Sequence, residues 1–324
     1  MTKMLRTFLL VSALFTAGYS IHGFAQEKST YPSRPVRFII PFPPGGGTDI
    51  VGRMVAERLG ESLGETFVVD NRPGAASTLG SAIAARATPD GYTIIMITAS
   101  YSIAASFYKN LPYHPVTDFD AIARVAAQPL VLVVNRAVQA NSVAELIGLA
   151  KANPDKLNYA SGGAGSINHL AAEMFNSATG TRIVHVPYKG AGPALTGLIG
   201  GETQLMFATL GSAIAHIRFG KLKALAVGSM SRSALLPNAP TLAEAGVRGY
   251  EASNWYGVLA PRGTPGNIVA LLNKEVGLVL QRKDVADRLE ALAFDSAFST
   301  PAQFADYLRA EIAKWAKAMK EAGL

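Results

Sequence analysis

Short apolar runs alternate with amphipathic stretches along most of the chain. Val36–Phe42 reads as a buried strand that breaks at Pro43-Pro44-Gly45-Gly46-Gly47. From Thr48 onward, Ile50, Val51, Met54, Val55 and Leu59 fall on one helical face. Phe67–Val69 is the next strand, followed by an Asn71-Arg72-Pro73-Gly74 turn and an alanine-rich helix to Arg86. Pro89-Asp90-Gly91 turns the chain into the strand Tyr92–Thr98. Further strands are expected over Leu130–Asn135, Leu157–Ser161, Arg182–Tyr188, Gln204–Ala208, Ala224–Val227 and Trp255–Ala260. Ser142-x-x-Glu145 is a capping box opening a helix that ends near Asn153-Pro154, and helices are also expected from near Ser166, Pro193, Ser212 and Thr241. Beyond Thr264-Pro265 the pattern is helical, save for a short strand near Phe294. The last helix opens at Thr300-Pro301-x-Gln303, and its stripe of Phe304, Leu308, Ile312, Trp315 and Met319 is expected to pack on the core. Strands apolar on both faces suit the interior of a parallel sheet, and repeated βα order specifies an α/β architecture.

Composition narrows the class. The chain has 324 residues, 49% of them apolar, which fits two α/β lobes or one large one and excludes disorder. Thirty basic and 23 acidic residues give a net charge of +7, but only 16% of residues are charged and no stretch forms a basic arm. A nucleic-acid partner is therefore not expected. The absence of cysteine excludes disulfides, thiol catalysis and cysteine-ligated metals. Met1–Arg6 carries Lys3 and Arg6, an apolar run follows from Phe8 to Tyr19, and Gly23-Phe24-Ala25 supplies small-x-small spacing. That order is a secretory signal with cleavage expected after Ala25, and the run is shorter than the roughly 20 residues of a membrane span. The mature protein is expected outside the cytoplasm.

The candidate chemistry gathers at glycine-rich corners. Pro43–Asp49, Ser161–Ser166 and Tyr188–Pro193 each join the C-terminal end of an expected strand to the start of a helix. Open α/β sheets bind ligands there, because unpaired amides and the positive end of the helix dipole favour an anion. No Gly-x-x-x-x-Gly-Lys-Ser/Thr sequence is present, and Gly45-x-Gly47 and Gly163-x-Gly165 lack the third small residue of a dinucleotide fingerprint. A smaller anion such as a carboxylate remains. There is no Gly-x-Ser-x-Gly elbow, and His22, His114, His169, His185 and His216 show no metal-ligand spacing. Neither a catalytic residue, a metal nor a cofactor is expected. A secreted hydrolase, the competing class, would need a nucleophile–base pair at these corners, and none is visible.

Tyr31-Pro32-x-Arg34-Pro35-Val36, then Pro41-Phe42-x-Pro44-Gly45-Gly46-Gly47-Thr48-Asp49, resembles the Bug-type solute-binding proteins, extracytoplasmic receptors of tripartite tricarboxylate transporters. So do Val69–Ala75, Pro89–Thr93, Gly165-Ser166 with His169-Leu170, Val186–Gly190, Pro240-Thr241-x-x-Glu244-Ala245-Gly246 and Trp255-Tyr256-Gly257. The resemblance implies a two-lobe periplasmic binding protein of type II-like architecture with a ligand cleft between the lobes. Lobe 1 is expected from residues 26–128 plus 250–324 and lobe 2 from 129–249. It further implies a small carboxylate ligand, membrane transporter subunits or a sensor as partner, and a monomeric receptor. Carried onto this chain, Gly46, Gly47, Thr48 and Asp49 form the first-loop site, with Phe42 packed on the ligand and Ser100 adding a polar contact. Ser161, Gly165, Ser166, Tyr188 and His169 are expected to face them from the other lobe. Many relatives carry an acid just after the strand Met-Phe, where Met206-Phe207 is here followed by Ala208-Thr209, so a ligand without an amine is expected. Valine at Gly46 or Gly47 is expected to weaken uptake, by resisting positive φ and by blocking the approach to the amides.

Overall fold

The computed structural model describes residues 31–322, so the expected signal segment, Met1–Ala25, lies outside the described residues. Strand β1 (Val36–Ile40) shows why the strands read as unbroken apolar runs. Phe38 and Ile40 pack with Val51, Val55 and Leu59 of α1 (Gly47–Leu63), while Ile39 turns to the opposite face beside Ile95, Ile97 and Trp255. Both faces of the sheet are covered, so both sets of alternate residues are buried.

The chain continues through β2 (Phe67–Asn71), α2 (Thr78–Ala85), β3 (Thr93–Thr98) and α3 (Ala99–Phe107) into the long strand β4 (Phe119–Asn135). Next come α4 (Val143–Ala152), β5 (Asn158–Ser161), α5 (Ile167–Thr179), β6 (Val184–Pro187), α6 (Ala191–Gly200), β7 (Leu205–Thr209), α7 (Leu210–Arg218) and β8 (Leu222–Val227). The chain closes with β9 (Ser253–Pro261), α8 (Gly266–Gln281), α9 (Lys283–Ala291), β10 (Asp295–Ser296) and α10 (Pro301–Ala322). The strand order is β2-β1-β3-β9-β4-β7-β5-β6, with β8 and β10 pairing with β4 off that path.

The architecture is α/β with two lobes, but the sheet is mixed rather than parallel. β1 runs parallel to β2 and β3, and β5 parallel to β6 and β7. β9 and β4, which carry the chain between the two parallel sets, are antiparallel to their neighbours. Residues Phe119–Pro129 of β4 pair with β9, and Leu130–Val134 pair with β7. The partner exchange at Pro129/Leu130 lets one strand join the two parallel sets.

One further expectation needs correction, and two elements went unread. The segment from Thr241 forms a turn, not a helix. Its capping box is present, with Glu244 N donating to Thr241 Oγ1 at 3.0 Å and Thr241 N to Glu244 Oε2 at 2.8 Å. Gly246 and Gly249, at φ +98° and +72°, turn the chain before a helix can propagate. Helix α3 goes unread in the sequence, because Ser100 and Ser102 give Ala99–Phe107 the look of a loop. The first part of β4 is also missed, because register shifts at Ala121/Ala123 and Arg124/Ala126 break its two-residue period. The stripe on α10 does pack on the core, with Phe304, Leu308, Trp315 and Met319 all buried.

Candidate functional site

Five helices begin at one place. The first turns of α1, α3, α5, α6 and α7 line the same cavity, through Gly47 and Thr48, Ser100, Ile167 and Asn168, Ala191 and Gly192, and the α7 N-cap Thr209. α1 and α3 start on one side of the cleft, and α5, α6 and α7 face them from the other. The cavity encloses about 50 Å³. No side chain among the described lining residues is charged.

The sequence at each strand end dictates which helix termini remain open. Gly46, the N-cap of α1, has no side chain to accept from the first amides of the helix. α3 is already closed, since Asn254 Oδ1 accepts from Ala99 N at 3.2 Å and Thr98 Oγ1 from Ser100 N at 3.3 Å. Ser166 caps α5 through His169 N at 3.4 Å. Ser100 reaches across the cleft, and its hydroxyl accepts from Ile167 N at 3.1 Å. Thr209 provides no side-chain cap for α7, and Gly190 none for α6. The open amides of α1, α6 and α7 therefore converge with their dipoles' positive ends. Each terminus favours an anion by about 0.3–1 kcal/mol, and by up to about 2 kcal/mol where partly buried.

Tyr256 forms a buried wall of the cavity, and its hydroxyl donates to Gln128 Oε1 at 3.3 Å. A Cβ on Gly47 would stand 2.6 Å from that hydroxyl, so only glycine lets α1 start so close to the wall. Neither Gly46, at φ −82°, nor Gly47 is among the positive-φ residues; Gly45, at φ +85°, is. The expected obstruction by valine therefore rests on space alone, and only at Gly47, since a Cβ on Gly46 meets nothing nearer than Pro43 O at 4.0 Å.

The sequence profile described as "Tripartite tricarboxylate transporter family receptor" matches residues 51–324. Protein BugT of Bordetella pertussis is 38% identical over 299 residues, covering 92% of each chain. The structure of R. palustris Rpa4515 with adipate superposes with a TM-score of 0.88 at 37% identity, covering 90% of this chain and 98% of that one. The structure of periplasmic binding protein BugD gives 0.87 at 37% identity, covering 90% and 99%. The chain belongs to the tripartite tricarboxylate transporter receptor family. These neighbours are binding proteins, and the receptor shares their two-lobe fold.

Of the residues singled out in the receptor's sequence, Phe42, Gly46, Gly47, Thr48, Ser100 and Ser166 line the cavity. Asp49 does not; its carboxylate is folded back onto its own loop. It accepts from Gly45 N at 3.0 Å, Arg53 Nε at 3.0 Å and Asn71 Nδ2 at 2.9 Å. Burial by itself raises its pKa, but these hydrogen bonds outweigh burial and hold the carboxyl below its usual range. Asp49 thus shapes the loop that presents the amides.

Ser161, Gly165 and His169 lie behind the second loop. Ser161 Oγ bonds with His185 Nε2 at 2.5 Å and accepts from Gly163 N at 3.0 Å. His169 Nδ1 accepts from Gly165 N at 3.2 Å and its ring stacks on His185, with centroids 4.2 Å apart. Burial lowers both histidines to about 4, His185 adding to the effect at His169. Gly165, at φ +78°, receives the Phe107 ring from α3: a Cβ there would lie 2.9 Å from Phe107 Cδ1. Tyr188 donates to Glu202 Oε2 at 2.7 Å and lines an adjoining chamber instead. Nothing in the sequence pointed to Asn168 or Asn254, and Thr209 stood out only as lacking an acid. Tyr256 lay in a visible motif, but spacing alone does not reveal that it walls the cleft.

Among the described residues, no cluster of three or more histidine, aspartate or glutamate side chains could hold a metal ion. No described helix is long and apolar enough to cross a membrane.

Proposed function

We propose that this protein is the extracytoplasmic receptor that captures a small carboxylate and delivers it to the membrane subunits of a tripartite tricarboxylate-type transporter. The observation that carries this reading is the convergence of five helix N-termini on a cavity lined by no charged side chain. Such a site holds an anion by oriented amides and hydroxyls. The adipate in the Rpa4515 structure agrees with a carboxylate ligand. In this reading Gly46, Gly47, Thr48, Ser100 and Ser166 touch the acid, Phe42 packs on it, and Asp49, Ser161, Gly165 and His169 hold the two loops in place.

Neither Ala208 nor Thr209 carries an acid, Thr209 lines the cavity, and the nearby Asp49 carboxylate is engaged by Arg53 and Asn71. Nothing there pairs with an α-amino group, so the ligand is an amine-free mono- or dicarboxylate or an aromatic acid. The partner exchange in β4 at Pro129/Leu130, together with the start of β9 at Ser253, supports lobes of 26–128 plus 250–324 and 129–249. Hinging between them closes the cleft, because contacts such as Ser100–Ile167 form only when the lobes meet. The receptor acts as a monomer in the periplasm after cleavage behind Ala25.

Calorimetry on the purified mature protein, stripped of ligand, tests this. Amine-free acids are expected to bind at least tenfold more tightly than any amino acid. An amino acid that outcompetes them all would overturn the assignment.

A further inference from the structure

The 50 Å³ cavity has room for a carboxylate and little more, so the remainder of a larger acid must lie elsewhere. A second chamber of about 490 Å³ adjoins it, and Phe42, Pro43 and Gly162 line both spaces. Its wall is chiefly apolar, built from Pro41, Pro73, Ala75 and Ala76 beside the shared Phe42 and Pro43. The Tyr108 and Tyr188 hydroxyls that border it already donate to Ala164 O and Glu202 Oε2. Lys189 is the one charged side chain among the described lining residues, and no described carboxylate pairs with it.

We infer that this chamber is a second subsite, selecting acids with an extended apolar body and a distal carboxylate that meets Lys189. The inference rests on the carboxylate reading above and specifies which carboxylates are preferred. One carboxylate sits at the helix N-termini, the methylene chain or ring lies along Phe42 and the proline wall, and the far anion reaches the ammonium. Lys189 is exposed and on the rim, so its contribution is modest and salt-sensitive, whereas the apolar wall rewards each added methylene.

Calorimetry with butyrate, hexanoate and adipate separates the parts. Hexanoate is expected to bind more tightly than butyrate, by roughly fourfold per fully buried methylene. Adipate is expected to exceed hexanoate by about fivefold at low salt, a margin that shrinks as salt rises. Lys189→Met, a substitution at an exposed position, should abolish the adipate advantage while changing hexanoate affinity less than twofold. Equal binding of butyrate and hexanoate, or of hexanoate and adipate, overturns the subsite while leaving the carboxylate receptor intact. An equal effect of Lys189→Met on both six-carbon acids, or none on either, also overturns it. Failure of the wild-type protein to bind any of the three acids overturns the carboxylate reading itself.

Discussion

The two glycine-rich corners that face each other across the cleft, Pro43–Asp49 and Ser161–Ser166, are alike in composition and opposite in how their polar groups are used. The first leaves amides at the start of α1 uncapped, and its one acid, Asp49, is turned back to brace the loop. The second is stitched down: Ser161 holds Gly163, His169 holds Gly165, Ser166 caps α5, and Ser100 from the opposite lobe takes the amide of Ile167. Glycine serves both, but at Gly47 it admits backbone close to Tyr256 beside a ligand space, and at Gly165 it admits the ring of Phe107. A glycine loop therefore signals close approach, and the surrounding side chains decide whether a solute or the protein itself approaches.

The sharpest way to break this contrast is Gly47→Val. It places carbon 2.6 Å from the Tyr256 hydroxyl and over the open amides. Losing one or two hydrogen bonds to a charged carboxylate should weaken ligand binding on the order of a hundredfold in calorimetry. Normal affinity in a folded variant would remove the first corner from the site. Gly165→Ala should act mainly on stability, because it combines φ +78° with a 2.9 Å approach to Phe107. Urea unfolding is expected to show a loss of about 1–2 kcal/mol. Wild-type stability there would mean that the second corner is not packed as described.

A third test is the effect of pH on the second corner. His169 and His185 titrate near 4 in the folded protein, below the ordinary 6.5. Between these values the unfolded chain binds more protons, so their contribution is complete above about pH 6.5 and is lost as pH falls toward about 4. Unliganded protein should lose stability over that window, by at most about 3 kcal/mol per histidine because both rings are partly solvated. Replacing both histidines by glutamine should flatten that part of the pH–stability curve, and an unchanged slope would show that the pair is not the source.

Much of the architecture was legible because burial writes a period into the sequence. β1, α1, β3 and the stripe of α10 could be read from apolar spacing, and the strand-to-helix corners from their glycines. α3 was hidden by its serines, and the first part of β4 by its register shifts. At the site, Gly46, Gly47 and Thr48 were legible because a glycine break before a helix is a local feature. Asn254 was not, since it precedes no helix, and Thr209 was noticed only for its missing acid, because the helix after it follows its strand without a glycine break.

Local order along the chain thus determined which segments are strands and helices, where backbone is laid bare, and to which family the motifs point. Tertiary structure alone decided that five helices begin around one cavity, that Ser100 closes across the cleft while Asp49 turns away, and that a larger chamber with Lys189 adjoins it. The reason is physical. Periodicity and capping act between neighbours in sequence, whereas a binding site is set by which strand ends the sheet order brings together, and that order is fixed by pairing between residues more than a hundred positions apart.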